Sequence, residues 1–97
     1  MKYEHEIIEW AEQRGLINSG NERNQLIKTY EELGEVSRAL LKNDRNALID
    51  GLGDVMVTLI IFSRIKGIVL EDCIEEAYNV IKNRTGKTVN GVFIKNE

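Results

Sequence analysis

The segment from Ala47 to Lys66 constrains this chain more than any other. Leu48, Ile49, Leu52, Val55, Met56, Val57, Leu59, Ile60, Ile61 and Phe62 would cover almost every side of a helix. A helix that is apolar all round is buried all round. The density of Val and Ile also suits a strand. A segment of some 20 residues is long for one, however, and the rest of the chain offers few strand partners. The segment therefore reads as a helix ended by Gly67. Asp50 and Asp54 stand one helical turn apart within it, on a face shared with Ala47, Val57 and Ile61. Ionised carboxylates in such surroundings cost several kcal/mol each unless paired. Their mutual repulsion adds about 3 kcal/mol at a separation of about 5 Å and an effective dielectric near 20. Spacing places neither Arg38 nor Arg64 to neutralise both aspartates. A divalent cation would do so, and Mg²⁺ favours hard oxygen ligands of this kind.

Three further helices are expected. The first covers about residues 2–14, where Tyr3, Ile7, Trp10 and Ala11 recur at helical spacing before Gly15. Asn18-Ser19-Gly20-Asn21 then reads as a loop. The second helix runs from about Glu22 to Lys42, with an apolar seam of Leu26, Tyr30, Leu33, Ser37 and Leu40. Lys28, Glu31, Glu32 and Glu35 lie opposite that seam. The third is the segment above, about 47–66, and the fourth covers about 70–83, with Leu70, Cys73, Ile74, Ala77 and Ile81 as its apolar stripe. Gly86 and Gly91 mark a non-helical tail over residues 84–97, with Val92-Phe93-Ile94 as a short extended piece against the body or a neighbour. Four helices with short connectors predict an all-α antiparallel bundle. A chain of 97 residues is expected to form one domain over 1–97. So small a chain covers an all-round apolar helix poorly, which predicts a second subunit packed on the third helix.

On the second helix Glu32 and Glu35, and Glu31 and Glu35, are neighbours by spacing. Taken alone they resemble a solvated face. Beside Asp50 and Asp54 on the next helix, they complete an oxygen-rich set able to surround one or two Mg²⁺ ions. Gly34, Gly51 and Gly53 lie among these acids. Close approach by a helix, ligand or metal shell accounts for them, and tight helix packing does so equally well.

Charge is unevenly spread. The total is −3, from 13 basic and 16 acidic residues. Residues 82–97 hold Lys82, Arg84, Lys87 and Lys95 against Glu97 alone, a net +3, which leaves −6 on the first 81 residues. The acidic body argues against nucleic acid as a partner. No apolar run reaches the ~20 residues of a membrane span, and the amino-terminal residues do not form a signal peptide. A single cysteine, Cys73, is expected to be buried and reduced, which fits a cytoplasmic protein.

Lys28-Thr29-Tyr30-Glu31-Glu32-Leu33-Gly34-Glu35 together with Asp50-Gly51-Leu52-Gly53-Asp54-Val55-Met56-Val57 resembles the MazG-like all-alpha nucleoside triphosphate pyrophosphohydrolases. The tail, from Ile81-Lys82-Asn83-Arg84-Thr85-Gly86-Lys87 to Asn90-Gly91-Val92-Phe93-Ile94-Lys95, is similar to the small phage- and bacterial-type branch. The resemblance implies Mg²⁺, with Mn²⁺ as a substitute, bound by Glu-x-x-Glu on one helix and Glu-x-x-Asp on the next. Glu32, Glu35 and Asp54 match that pattern. Gly51 stands where the second motif has glutamate, and Asp50 is the substitute ligand. The implied reaction cleaves a nucleoside triphosphate between its α and β phosphates. Glu31 is then the candidate to orient or deprotonate water, and Lys28, Asn79, Lys82, Arg84 and Lys87 are candidate substrate contacts. Trp10, Tyr30 and Tyr78 are available to stack on a base. A homodimer or homotetramer is the implied assembly. A phosphoribosyl-ATP pyrophosphatase-like enzyme and a non-catalytic oligomeric binding or regulatory module are the alternatives.

Other leads fail. Gly86-Lys87-Thr88 lacks the upstream glycine and the strand-to-helix setting of a phosphate loop. One histidine and one cysteine make neither a zinc site nor a nucleophilic triad.

Overall fold

The computed structural model describes residues 1–96; Glu97, the last residue of the expected tail, lies outside the described residues. The chain forms a mostly α-helical bundle followed by a β-hairpin. The order is α1 (Glu4–Gln13), α2 (Glu22–Leu41), α3 (Arg45–Ile65), α4 (Leu70–Ile81), β1 (Gly86–Val89) and β2 (Val92–Lys95). Local chemistry sets the boundaries. Gly15 and Gly67 take left-handed conformations, with φ of 70° and 71°, just after α1 and α3. The Asp44 carboxylate accepts a hydrogen bond from the Ala47 N–H at 3.0 Å and so caps α3. Asn90 and Gly91, with φ of 52° and 80°, form the tight turn that joins β1 to β2.

The α2–α3 pair is the centre of the structure. Its packed surface comes from Thr29, Val36 and Ala39 on one side and Gly51, Val55 and Thr58 on the other. The oxygens of Thr29 and Thr58 lie 2.8 Å apart in the buried interface. Each hydroxyl also has a carbonyl within its own helix, Gln25 O at 2.9 Å and Val55 O at 2.7 Å. Replacing either threonine by valine keeps its volume but removes one partner of a buried polar group, with an expected loss of about 1–2 kcal/mol. The double variant is expected to lose less than the sum of the single losses, because it removes both ends of the contact. Urea unfolding of the three variants measures this.

α1 packs on another side of α3. The buried Glu4 carboxylate accepts a hydrogen bond from the Leu70 N–H at 3.1 Å, tying α1 to the first turn of α4. At the start of α2 the Glu22 carboxylate accepts from the Gly20 N–H at 2.7 Å. The backbone N–H groups of Glu22 and Gly20 hold this carboxyl below the ordinary glutamate range. A depressed folded-state value means that the contribution to stability is present above the unfolded-state pKa. It is lost as pH falls through the folded value. An NMR titration is expected to show Glu22 protonating at lower pH than an unperturbed glutamate, and Glu22→Gln is expected to remove that acid-side dependence.

Three expectations on burial are overturned. The α2 seam does not face α3: Leu26, Tyr30, Leu33 and Leu40 are exposed, Tyr30 by 69% and Leu40 by 64%. Small side chains at Thr29 and Ala39 let α2 pack closely through the neighbouring stripe instead. α3 is not buried all round, because Ile49 and Leu52 face solvent. Cys73 is exposed, as are nearly all residues of α4, which has none buried. Among the described residues, no helix is long and apolar enough to cross a membrane.

Candidate functional site

Two contacts define how α2 and α3 lie against each other. Thr29 meets Thr58, and Val36 sits against Gly51. The contacts are seven residues apart on each helix and run in opposite order, so the helices are antiparallel and in step. This register sets Asp54 level with Leu33 and Asp50 level with Ser37, alongside Glu32 and Glu35. At 1.5 Å per residue, all four acids fall within about two turns.

They also share a flank. Lys28 of α2 lines one cavity with Val57 and Ile61 of α3, and with Trp10 and Leu16, which marks the flank facing α1. Glu32 follows Lys28 by one turn, and Asp54 precedes Val57 by one turn. Glu35 and Asp50 continue the same two rows. The cavity holds about 340 Å³ and also receives Asn24 and Gln25. A second cavity of about 540 Å³ lies between α3 and α1, lined by Tyr3, Ile7, Met56 and Ile60 together with Asp50 and Asp54. The flank is thus a row of carboxylates between two largely apolar hollows. Asn24 and Gln25 were missed in the sequence reading; their polar side chains one turn before Lys28 were the available signal.

The acids are not gathered into a preformed cage. Among the described residues, no group of three or more His, Cys, Asp or Glu side chains is placed to hold a metal ion. Glu31 and Glu32 turn to Lys28, at 3.8 and 3.7 Å, and Glu35 pairs with Arg38. Asp50 and Asp54 are exposed and are in no ion pair among the described residues. The expected burial of the two aspartates does not occur, so the cost of desolvating them is absent in the single chain. Only Glu32 is well shielded, its side chain 16% exposed. Water screens the remaining charges, which lets the carboxylates spread and take local cations. Their donor chemistry still fits a hard cation, since all four offer carboxylate oxygens from facing turns of two packed helices.

Position 51 explains one departure in the motif. Gly51 is buried, and a Cβ there would stand 3.0 Å from Cγ2 of Val36. This position faces α2. Asp50, one residue earlier, is turned towards the flank of carboxylates.

The substrate-contact candidates other than Lys28 are elsewhere. Asn79 and Lys82 lie at the end of α4, Arg84 follows it, and Lys87 is on β1, all exposed. Among the described residues, α4 packs on α3 and is tied to α1 through the Glu4–Leu70 hydrogen bond, while the hairpin packs on no helix. Lys82 lies over the Tyr78 ring at 5.8 Å. Of the substrate-contact candidates, only Lys28 adjoins the acids within the chain.

Residues 21–89 match the family model described as the MazG nucleotide pyrophosphohydrolase domain. Among curated proteins, a stretch of 58 residues is 34% identical to the "Uncharacterized 18.2 kDa protein in rep-hol intergenic region" of Haemophilus phage HP1 (strain HP1c1). That match covers 60% of this chain and 36% of the phage protein, so the chain spans about a third of its relative. No solved structure matches.

Proposed function

From the premise that the chain belongs to the MazG nucleotide pyrophosphohydrolase domain family, we propose that it hydrolyses a nucleoside triphosphate to the monophosphate and pyrophosphate. The observation that carries this reading is the placement of Glu32, Glu35, Asp50 and Asp54 on one flank of an antiparallel helix pair. Those four residues would hold Mg²⁺ or Mn²⁺. When bound, the ion screens phosphate charge and acidifies water.

The chain's own groups divide the remaining work. Glu31, exposed beside Glu32, would take the proton of the attacking water. The water oxygen bonds to the α-phosphorus as the bond from that phosphorus to the α–β bridging oxygen breaks. Pyrophosphate leaves with the electron pair. Lys28 sits where it can exchange its carboxylate partners for a phosphate oxygen. The hollow lined by Trp10, Val57 and Ile61 offers an apolar surface for a base, with the amides of Asn24 and Gln25 for its polar edge.

The test is incubation with a panel of nucleoside triphosphates, ribo and deoxy, with Mg²⁺ and with chelator. Pyrophosphate release that requires the metal is the expected result. Turnover confined to phosphoribosyl-ATP would favour that related activity. Absence of pyrophosphate from every substrate, with Glu35→Gln indistinguishable from the parent, would leave a binding module.

A further inference from the structure

The arm formed by α4 and the hairpin is thinly supported within its own chain: α4 meets α3 and is held at its first turn by the Glu4 carboxylate, and among the described residues the hairpin packs on no helix. None of the residues of α4 is buried, and Ile74, Tyr78 and Ile81 form an exposed stripe along it. The hairpin touches no helix among the described residues. A lone two-stranded hairpin is marginal in water and gains stability by packing on a surface. The radius of gyration is 16.0 Å, against about 13 Å for a compact chain of this length.

The chemistry of the arm identifies that surface. Val89 pairs with Val92 and Lys87 with Ile94, so these four side chains share one face of the hairpin. Close approach of the strands is built in at Gly86, where a Cβ would collide with the carbonyl oxygen of Ile94. Lys87 and Arg84 are in no ion pair among the described residues. An apolar face carrying one free cation fits a surface where apolar hollows adjoin unpaired carboxylates. The flank bearing Asp50 and Asp54 is such a surface. α4 and the hairpin together reach about 30 Å at ordinary helix and strand rises. That length passes around a neighbouring helix, which is about 10–12 Å across.

We propose that the arm works in trans: in a pair of copies it lies over the acidic flank of the other copy and carries Lys87 and Arg84 to the phosphates bound there. The role towards phosphate rests on the pyrophosphohydrolase reading; the docking does not.

Docking is tested without turnover. Equal amounts of ¹⁴N- and ¹⁵N-labelled protein are mixed and coupled with a carbodiimide, which joins an amine to a carboxylate in contact. Mixed-isotope peptides joining Lys87 to the segments holding Glu32, Glu35, Asp50 or Asp54 are expected. Products of single isotope only, or none involving Lys87, overturn the proposal. The trans role is tested by mixing inactive Asp54→Asn with Lys87→Ala after dissociation. Half of the re-formed pairs would combine one intact flank with one intact arm, restoring about 25% of parent activity in a symmetric dimer. Activity no higher than the average of the separate variants overturns the trans role while leaving the enzyme reading in place.

Discussion

Glutamate at position 51 is expected to destabilise the protein by about 3 kcal/mol rather than repair the metal motif. The residue would enter the α2–α3 crossing, where even a methyl group meets Val36 at 3.0 Å. Overpacking of this kind costs about 1–3 kcal/mol, and an acid pushed against Val36 and Val55 adds a desolvation penalty. Gly51→Ala is the control. Its methyl group gains about 1 kcal/mol in helix propensity, against a shift of Val36 by a few tenths of an ångström. A net change within about 1 kcal/mol is therefore expected. Combining Gly51→Glu with Val36→Ala should recover part of the loss, because the two sites share one contact. Urea midpoints measure all three. A Gly51→Glu protein as stable as the parent, with raised metal-dependent turnover, would place position 51 on the acidic flank and contradict the packing described.

Asp54→Asn is expected to reduce pyrophosphate release at least about 100-fold, beyond the usual effect of residues that merely orient metal ligands. Its stability should change little, within about 0.5 kcal/mol, because Asp54 is exposed and unpaired among the described residues. The direction is a slight gain, from removing a charge one turn from Asp50. Saturating Mg²⁺ should raise the melting temperature of the parent by linkage and that of the variant by less. This second readout separates a lost ligand from a lost catalytic proton transfer. Glu31→Gln should retain the Mg²⁺ shift and lose turnover. Unfolding of Asp54→Asn without metal would show that the carboxylate supports the fold, contrary to its exposure.

Much of the helical framework could be read directly. The apolar density of residues 47–66 and the glycines at 15 and 67 are local signals acting on neighbouring backbone; in the tail only the extended Val92–Ile94 piece was legible, and its pairing with Gly86–Val89 was not. The paired acidic motifs were equally visible, because their spacing lies within single helices. The environment of each acid was not. Asp50 and Asp54 were expected to be inside, by inference from their apolar neighbours, yet they sit on a shoulder of α3 between the surfaces used by α2 and α1. Glu32, expected on a solvated face, is the shielded one.

What the sequence determined by itself was where helices begin and end, and which side-chain types recur along each face. Those properties depend on backbone preferences and on residues within a few positions. Only the tertiary structure decided that α2 meets α3 through Thr29, Val36 and Ala39, leaving the richer Leu26–Leu40 stripe exposed. Hydrophobic attraction is non-directional and does not specify a partner. The choice between apolar faces falls to shape, here the close fit of a glycine beneath a valine. That fit sets the register, and the register places carboxylates from two helices on one flank.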